Sequence, residues 1–446
     1  MSDAISPIHK ALKIRLYPDE DQKILLNKTF GCCRKLYNIG LEEHKEWYIA
    51  NKDLPKEQRT KFVGKLPKQL REEEYPFLGE VIAEPLIQSQ RNCEQAFSNF
   101  FNSISGKRKG KKVGFPKWKS RKSHKDSFSL YMLPKNCLDW KHRLVNIPKV
   151  KQVRFRHSED KSSKWIGWFK DAIIKSMTIS KNACNEYWCS ILFEKEQDLY
   201  SAIHPNNATG LDFSPNSLYI NDLNEEAPNF RKAKQENIKK FTKLQRNLMR
   251  KQSGSHNREK ARTKLAKFEN HIANIRKDYK EKETLRLVQT YDVIGIEDLN
   301  LQGMMRFSHN AKNYVDTSWN MFVTRLEEKA MFNNCLVIKS DRFYPSSKTC
   351  NRCGYINKEL TLKDRKWVCP ECGTEIIRDQ NAALNLKENA IRILTEDINS
   401  VLGMEHTEVM SMEGIEVNLC NSMIYGVSYE VESQDSDALR KDTTTL

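Results

Sequence analysis

The chain has 446 residues, room for two to four domains and at least one sizeable core. Its 39% hydrophobic content excludes wholesale disorder, and its charged residues, 30% of the chain, sum to a formal net charge of +17. A basic chain of this size most often binds a polyanion, usually nucleic acid.

The N-terminus, MSDAISPIHKALKIRLYP, has no apolar signal-peptide core, and no run approaches the roughly 18 apolar residues of a membrane span. Neither a leader nor a membrane anchor is expected, and the twelve cysteines should be mostly reduced.

Lys10–Tyr17 alternates Leu12, Ile14 and Leu16 with Lys13, Arg15 and Tyr17, which predicts a half-buried strand. After Pro18-Asp19, Leu26, Phe30, Cys33, Tyr37 and Leu41 recur at helical spacing. A second helical region covers about 80–104, with Ala96, Phe97, Phe100 and Phe101 as its stripe. The loop Lys107–Lys125 interleaves cations with Phe115 and Trp118, and Phe128 follows it. Cations track phosphates and exposed aromatics stack unpaired bases, so Lys117, Trp118, Lys119 and Arg121 are candidate nucleic-acid contacts.

From about 126 to 197 the pattern is short strands, with IIKSMTIS and EYWCSILFE joined by KNACN as a hairpin. This predicts a small antiparallel barrel to which the N-terminal strand returns, with 19–125 as a helical insertion. After the linker His204–Asn207, TGLDFSPNSLYI predicts a strand carrying Asp212. Two basic helical segments follow at about 229–251 and 257–290, split by Gln252–Ser255. YDVIGIEDLN predicts a buried strand ending at Glu297, 318–333 a helix, and CLVIK another strand. Residues 403–446 are acidic and weakly patterned, and low order is expected there apart from a short element near Ile415–Tyr429.

Two patterns carry chemistry. Cys350-x2-Cys353 and Cys369-x2-Cys372 stand fifteen residues apart, and each pair is followed by a glycine, Gly354 or Gly373. Two such turns complete a tetrahedral four-thiolate shell for one structural Zn²⁺. The second pattern is dispersed: Asp212 in a strand, Glu297 at a strand end, and Asp379 at the start of a helix with the stripe Ala383, Leu386, Ala390 and Ile391. If a mixed sheet gathers the three, their mutual repulsion calls for hard cations, and two Mg²⁺ ions suit such a site.

Several stretches resemble the TnpB family of transposon-associated RNA-guided nucleases and the related miniature type V CRISPR effectors. They are KIRLYPDEDQKILLNKTFGCCRKLYN, AFSNFF with GFPKWKSRK, GSHNREKARTKLAKFENHIANIRKDY, YDVIGIEDLNLQGM and YPSSKTCNRCGYINKELTLKDRKWVCPECG, and the likeness runs from about 10 to 395. The chain departs from the family pattern at Ser214, where a second glycine is usual after the first acid. It departs again at Ile376-Ile377-Arg378-Asp379, where His-Asp-Arg-Asp is usual.

The resemblance implies a multidomain α+β protein: a RuvC-like nuclease domain of RNase H fold with an inserted zinc ribbon, plus a small antiparallel β-barrel carrying a helical insertion. It implies catalytic, magnesium-holding acids at Asp212, Glu297 and Asp379, with zinc on Cys350, Cys353, Cys369 and Cys372. Expected domains are 1–18 and 126–203 for the barrel, 19–125 for the insertion, and 204–344 with 378–402 for the nuclease. The ribbon is expected over 345–377 and the acidic tail over 403–446. Arg365, just before Trp367, could meet a strand phosphate. Implied partners are a guide RNA and target double-stranded DNA, giving an RNA–DNA heteroduplex and a single strand in the cleft. No membrane and no small-molecule substrate are expected, and the implied setting is a prokaryotic cytoplasm. The alternatives are an RNA-guided DNA binder, or a transposition accessory factor, that does not cut.

Overall fold

This computed structural model describes residues 7–55, 58, 60–123, 126–134, 136–156, 164–196, 200–307, 311–361, 363–402, 415–418 and 431–432. The chain divides into an N-terminal unit, Pro7–Lys195, and a C-terminal unit from Glu196 onward. No described helix is long and apolar enough to cross a membrane.

In the N-terminal unit, strand β1 (Pro7–Tyr17) leads into helix α1 (Glu20–Asn51). Asp19 ends the strand and starts the helix: its carboxylate accepts the Gln22 amide at 2.8 Å, and the Gln22 side chain accepts the Asp19 amide in return. Helices α2 (Pro67–Glu73) and α3 (Ala83–Ile104) follow. Tyr37 and Leu41 of α1 pack against Cys93 and Phe97 of α3, with Phe101 and Phe115 closing the cluster. Strands β2 (Asp126–Leu130), β3 (Leu138–Asp139), β4 (Leu144–Ile147) and β5 (Lys151–Arg156) come next. Helix α4 (Lys164–Asp171) and strands β6 (Ile173–Lys181) and β7 (Tyr187–Glu196) complete the unit. The seven strands form one sheet in the order β2-β6-β7-β1-β5-β4-β3, so the first strand sits at its centre. No described pairing joins β2 to β3, so the sheet is curled rather than shown closed as the expected barrel. Helix α4 interrupts a stretch whose sequence predicts strands alone.

In the C-terminal unit, strand β8 (Tyr200–Ile203) precedes β9 (Ala208–Ser214) and β10 (Leu218–Asn221). The first basic segment breaks at Asn237 into α5 (Ala233–Glu236) and α6 (Ile238–Met249), and α7 (His256–Thr290) follows. Strand β11 (Val293–Glu297), helices α8 (Leu301–Phe307), α9 (Ala311–Thr317) and α10 (Trp319–Ala330), and strand β12 (Leu336–Ser340) lead to the cysteine segment. That segment carries β13 (Lys366–Val368) and β14 (Glu375–Ile377), and β14 runs directly into α11 (Arg378–Leu402). Strands β15 (Ile415–Asn418) and β16 (Val431–Glu432) lie in the C-terminal stretch. β15 pairs antiparallel with β8, Ile415 opposite Ile203, so the short element expected near Ile415–Tyr429 begins as a strand added to this unit. The rest of 403–446 lies outside the described residues.

The central sheet runs β10-β9-β11-β12. β9, β11 and β12 are parallel, and β10 is the antiparallel hairpin partner of β9. Leu211, Ile294 and Ile296 turn one face toward Leu287 and Val288 of α7 and Trp319, Phe322 and Leu326 of α10. The other face belongs to α11.

Candidate active site and metal centre

Leu211 of β9 pairs in parallel with Ile296 of β11, so the next residues stand level, Glu297 as the last residue of β11 and Asp212 two residues before the end of β9. Side chains two apart on a strand share a face, so Asp212 lies on the side of Gly210, and Glu297 on the side of Gly295. A Cβ on Gly210 would sit 1.9 Å from the Ala383 carbonyl oxygen, and one on Gly295 2.2 Å from that of Leu386. The two glycines therefore let the backbone of α11 rest directly on the sheet. Asp379 is one helical turn before Ala383, a rise of about 6 Å. That is close to the step from Gly210 to Asp212 along its strand, roughly 6.6 Å. The N-terminus of α11 thus brings Asp379 to the end of the sheet where Asp212 and Glu297 stand.

The electrostatics agree with this placement. Burial pushes the Asp212 carboxyl well above the usual carboxylate range, and the charges of Glu297 and Asp379 push it further, against Arg378 and Arg365. Burial also raises Glu297, while a hydrogen bond from Ser346 lowers it. The Ser346 hydroxyl donates to Glu297 Oε1 at 2.5 Å. Asp379 is held differently: Arg365 Nη1 lies 3.0 Å from Oδ2, and Arg378 Nη2 lies 2.8 Å from Oδ1. The three carboxylates share one end of the sheet without converging as the cysteine sulfurs do.

The cysteines form a second centre. All four Sγ atoms lie within 4.8 Å of one another, the one such group found among the described residues. Cys350 and Cys372 are 3.7 Å apart, and Cys353 and Cys369 are 3.5 Å apart. Tetrahedral zinc with Zn–S bonds of about 2.3 Å requires sulfur separations of about 3.8 Å, so the donor set fits one Zn²⁺. Gly354 and Gly373 have φ of 77° and 68°, and their amides bond back to the carbonyls of Cys350 and Cys369. Hydrogen bonding by Thr374 lowers the Cys372 thiol, while that of Cys353, against a backbone hydrogen bond from Tyr355, is raised by burial and by hydrogen bonds from the other thiols, so the four sulfurs share their protons as one group. The apolar support is small: Leu360, Trp367 and Ile376 with Cys350 and Cys369.

The contacts expected in the basic loop divide. Lys117, Trp118 and Arg121 are exposed. Lys119 is exposed as well, with its Nζ 3.8 Å over the Tyr37 ring and its backbone exchanging two hydrogen bonds with Asn38. Phe115 packs edge-on against Phe97 and Phe100, and Phe128 is buried against Phe30, so neither offers a stacking face. Trp118 lines a cavity of about 410 Å³ with Arg34, Gln88, Asn92 and Ser120. Sequence reasoning missed Arg378, Ser346 and three buried asparagines on α11; their one signal was an Asn at every fourth position from 381.

Three family models match: "Cas12f1-like, TNB domain" over 319–386, "Probable transposase" over 190–308 and a "Helix-turn-helix domain" over 6–53. A "Putative RNA-guided DNA endonuclease" of Streptomyces pristinaespiralis is 30% identical over 381 residues, covering 85% of this chain and 89% of that one. The chain belongs to the TnpB family. Another similar protein, Escherichia coli (strain K12) "Putative RNA-guided DNA endonuclease InsQ", is 28% identical over 401 residues, 84% of this chain and 91% of the relative. Among solved structures, a chain of a "Cas12f1-sgRNA-target DNA complex" is similar at a TM-score of 0.38 and 14% identity, over 85% of this chain and 99% of that one. In this TnpB family member the segment matched by the TNB model includes both the four cysteines and Asp379.

Proposed function

We propose that the chain is a Mg²⁺-dependent, RNA-guided DNA endonuclease with one RuvC-like site of RNase H fold. The observation that carries this reading is the close seating of α11 on Gly210 and Gly295, which sets Asp379 at the strand ends that bear Asp212 and Glu297. Asp212, Glu297 and Asp379 would hold the ions, since hard oxygen donors at one end of a sheet, with Glu297 and Asp379 raising the proton affinity of Asp212, suit divalent Mg²⁺. When bound, a pair of such ions supplies an activated water and charge relief for the leaving oxygen of a phosphodiester.

The chain's own residues do the rest. Ser346 orients Glu297 through its hydroxyl. Arg365 has an exposed side chain, so it can exchange Asp379 for an arriving strand phosphate. Zinc would fix the ribbon that carries Arg365 and joins α11. In the N-terminal unit, Lys117, Trp118, Lys119 and Arg121 are available to nucleic acid, and the cavity beside Trp118 is large enough for a base. On this reading the guide RNA pairs with target DNA beside a short flanking motif, and the protein reads the shape of the heteroduplex.

Plasmid cleavage and gel-shift assays on the protein–RNA complex test the proposal. Asp212→Ala and Glu297→Ala should abolish cutting and leave target binding nearly intact. An Asp212→Ala protein that cuts at the wild-type rate would refute the site. A wild-type complex that binds but never cuts in Mg²⁺ would make it an RNA-guided binder, and the absence of copurifying RNA would favour a transposition accessory role.

A further inference from the structure

Helix α11 carries Asn381, Asn385 and Asn389 at four-residue steps, which makes one stripe along the helix. All three are buried, at 4%, 3% and 4% exposure. Asparagine is a poor helix former, and a buried amide without partners is costly. Here each amide is used. Asn381 and Asn385 both donate to the Thr349 carbonyl at 2.7 Å, and Asn385 also donates to the Ser346 carbonyl at 2.7 Å. The Asn381 carbonyl oxygen accepts the backbone amide of Asn351 at 3.0 Å, between the first two zinc cysteines. Asn389 reaches the Ser340 hydroxyl at 2.9 Å, and Ser340 is the β12 residue in register with Glu297. The stripe therefore grips the whole passage from the end of β12 to the first cysteine turn.

Ser346 lies in the middle of that passage and is buried. Its carbonyl is clamped from behind by Asn385, and its hydroxyl points forward to Glu297 Oε1. Glu297 Oε2 has no hydrogen-bond partner among the described residues, so it is the oxygen open to a cation. We propose that Ser346, held by the Asn381–Asn385 clamp, is the positioning residue that sets the Glu297 carboxylate for divalent-metal binding. The same clamp ties the first cysteine turn of the ribbon to the catalytic helix. The inference rests on the reading of Glu297 as a metal ligand. An apolar stripe would anchor a loop equally well and favour the helix more; amides aimed at carbonyls additionally fix the direction in which Ser346 presents its hydroxyl.

The test uses full-length protein and Mn²⁺ as the probe, titrated by calorimetry or electron paramagnetic resonance, in parallel with cleavage. Ser346→Ala should bind Mn²⁺ about 10–100-fold more weakly, the usual cost of losing a group that orients a metal ligand. The Mg²⁺ concentration for half-maximal cleavage should rise in proportion. Zinc content and target gel shifts should match wild type, and Ser346→Thr, which keeps the hydroxyl, should restore Mn²⁺ binding. Asn385→Ala, which touches no proposed ligand, should weaken Mn²⁺ binding in the same direction. Wild-type Mn²⁺ affinity in Ser346→Ala overturns the proposal, as does an Asn385→Ala protein that only melts earlier. Glu297→Gln separates the two readings. If it too binds Mn²⁺ normally, the metal site itself is misassigned; if it alone loses Mn²⁺, the site stands and the role of Ser346 falls.

Discussion

Arg365 reaches Asp379 across the junction of ribbon and helix, Nη1 to Oδ2 at 3.0 Å. Strand register produces the contact. Lys366 pairs with Ile377, and the Arg378 amide donates to the Arg365 carbonyl at 3.0 Å, so Arg365 stands beside the first turn of α11. The Arg365 side chain is 65% exposed, and exposed pairs contribute little stability, so an ion or a phosphate can replace it.

Arg365→Ala should therefore separate two properties. Divalent-metal binding should hold or tighten, because a competing cation has left Asp379. The cleavage rate at saturating Mg²⁺ should fall by about 100-fold, the scale of losing one preorganised donor to a reacting oxyanion. Metal titration and single-turnover cleavage on the same preparation check both. A rate loss that follows a loss of metal affinity would contradict this division.

Asp212 offers a stability test with a definite sign. Its folded-state proton affinity is raised above that of the unfolded chain by burial and then by Glu297 and Asp379. The folded state then binds more protons than the unfolded one between the ordinary carboxylate value and the raised one, so metal-free stability should fall as pH climbs from the first to the second and level off above it. Asp212→Asn removes the buried charge. At neutral pH without divalent metal it should melt above wild type, by about 2–4 °C for each kcal/mol gained in a unit of this size. Added Mg²⁺ should reverse the order, since only wild type gains binding energy. Calorimetric melts at two pH values, with and without Mg²⁺, check the sign, and cleavage by the variant should be absent.

The four-cysteine centre supports a third prediction. A hairpin whose core is Leu360, Trp367 and Ile376 cannot bury enough apolar surface to fold alone, so zinc should supply most of its folding energy. Cys369→Ser should lose the metal and locally unfold the ribbon. Cleavage should drop at least 100-fold, because β14 continues straight into α11 and Asp379 would lose its N-terminal anchor. Guide binding should survive. Metal analysis beside cleavage decides the point: a zinc-free variant that cuts normally would deny the ribbon any role at Asp379.

Local patterns made part of this legible from sequence. Alternation in Lys10–Tyr17, the turn between β6 and β7, the apolar run before Glu297 and the doubled CxxC each state their structure within a few residues. The acids took more, since no spacing along the chain says that Asp212, Glu297 and Asp379 share one end of a sheet; that expectation came from a resemblance. What stayed hidden is nonlocal. Phe115 and Phe128 sit among cations, which suggests stacking faces, yet α1 and α3 provide apolar partners that bury Phe128 and half-bury Phe115. The pairing of β15 with β8 joins residues about as far apart in the chain as the C-terminal unit allows. Asn381, Asn385 and Asn389 look like a polar surface until the passage they grip lies against them.

The seating of α11 on the sheet gives the sharpest prediction about geometry. A methyl group at Gly210 would meet the Ala383 carbonyl oxygen at 1.9 Å and the Lys387 nitrogen at 2.7 Å, both backbone atoms that cannot rotate away. Gly210→Ala must lift the helix or bend the strand, at a cost of about 3 kcal/mol, the upper part of the usual overpacking range. Lifting α11 moves Asp379 away from Asp212, and a displacement of about 1 Å at a reacting centre can cost about 100-fold in rate. Gly295→Ala, facing the Leu386 carbonyl oxygen at 2.2 Å, should behave alike. Ile296→Val is the control: it thins the opposite face, toward α10, and should cost about 1 kcal/mol. If α11 is the element that positions the third acid, the glycine variants lose far more activity than their melting temperatures alone explain, while the Ile296 variant loses stability and keeps its rate. Equal losses of activity per degree of melting temperature in all three would mean that α11 is only a structural support.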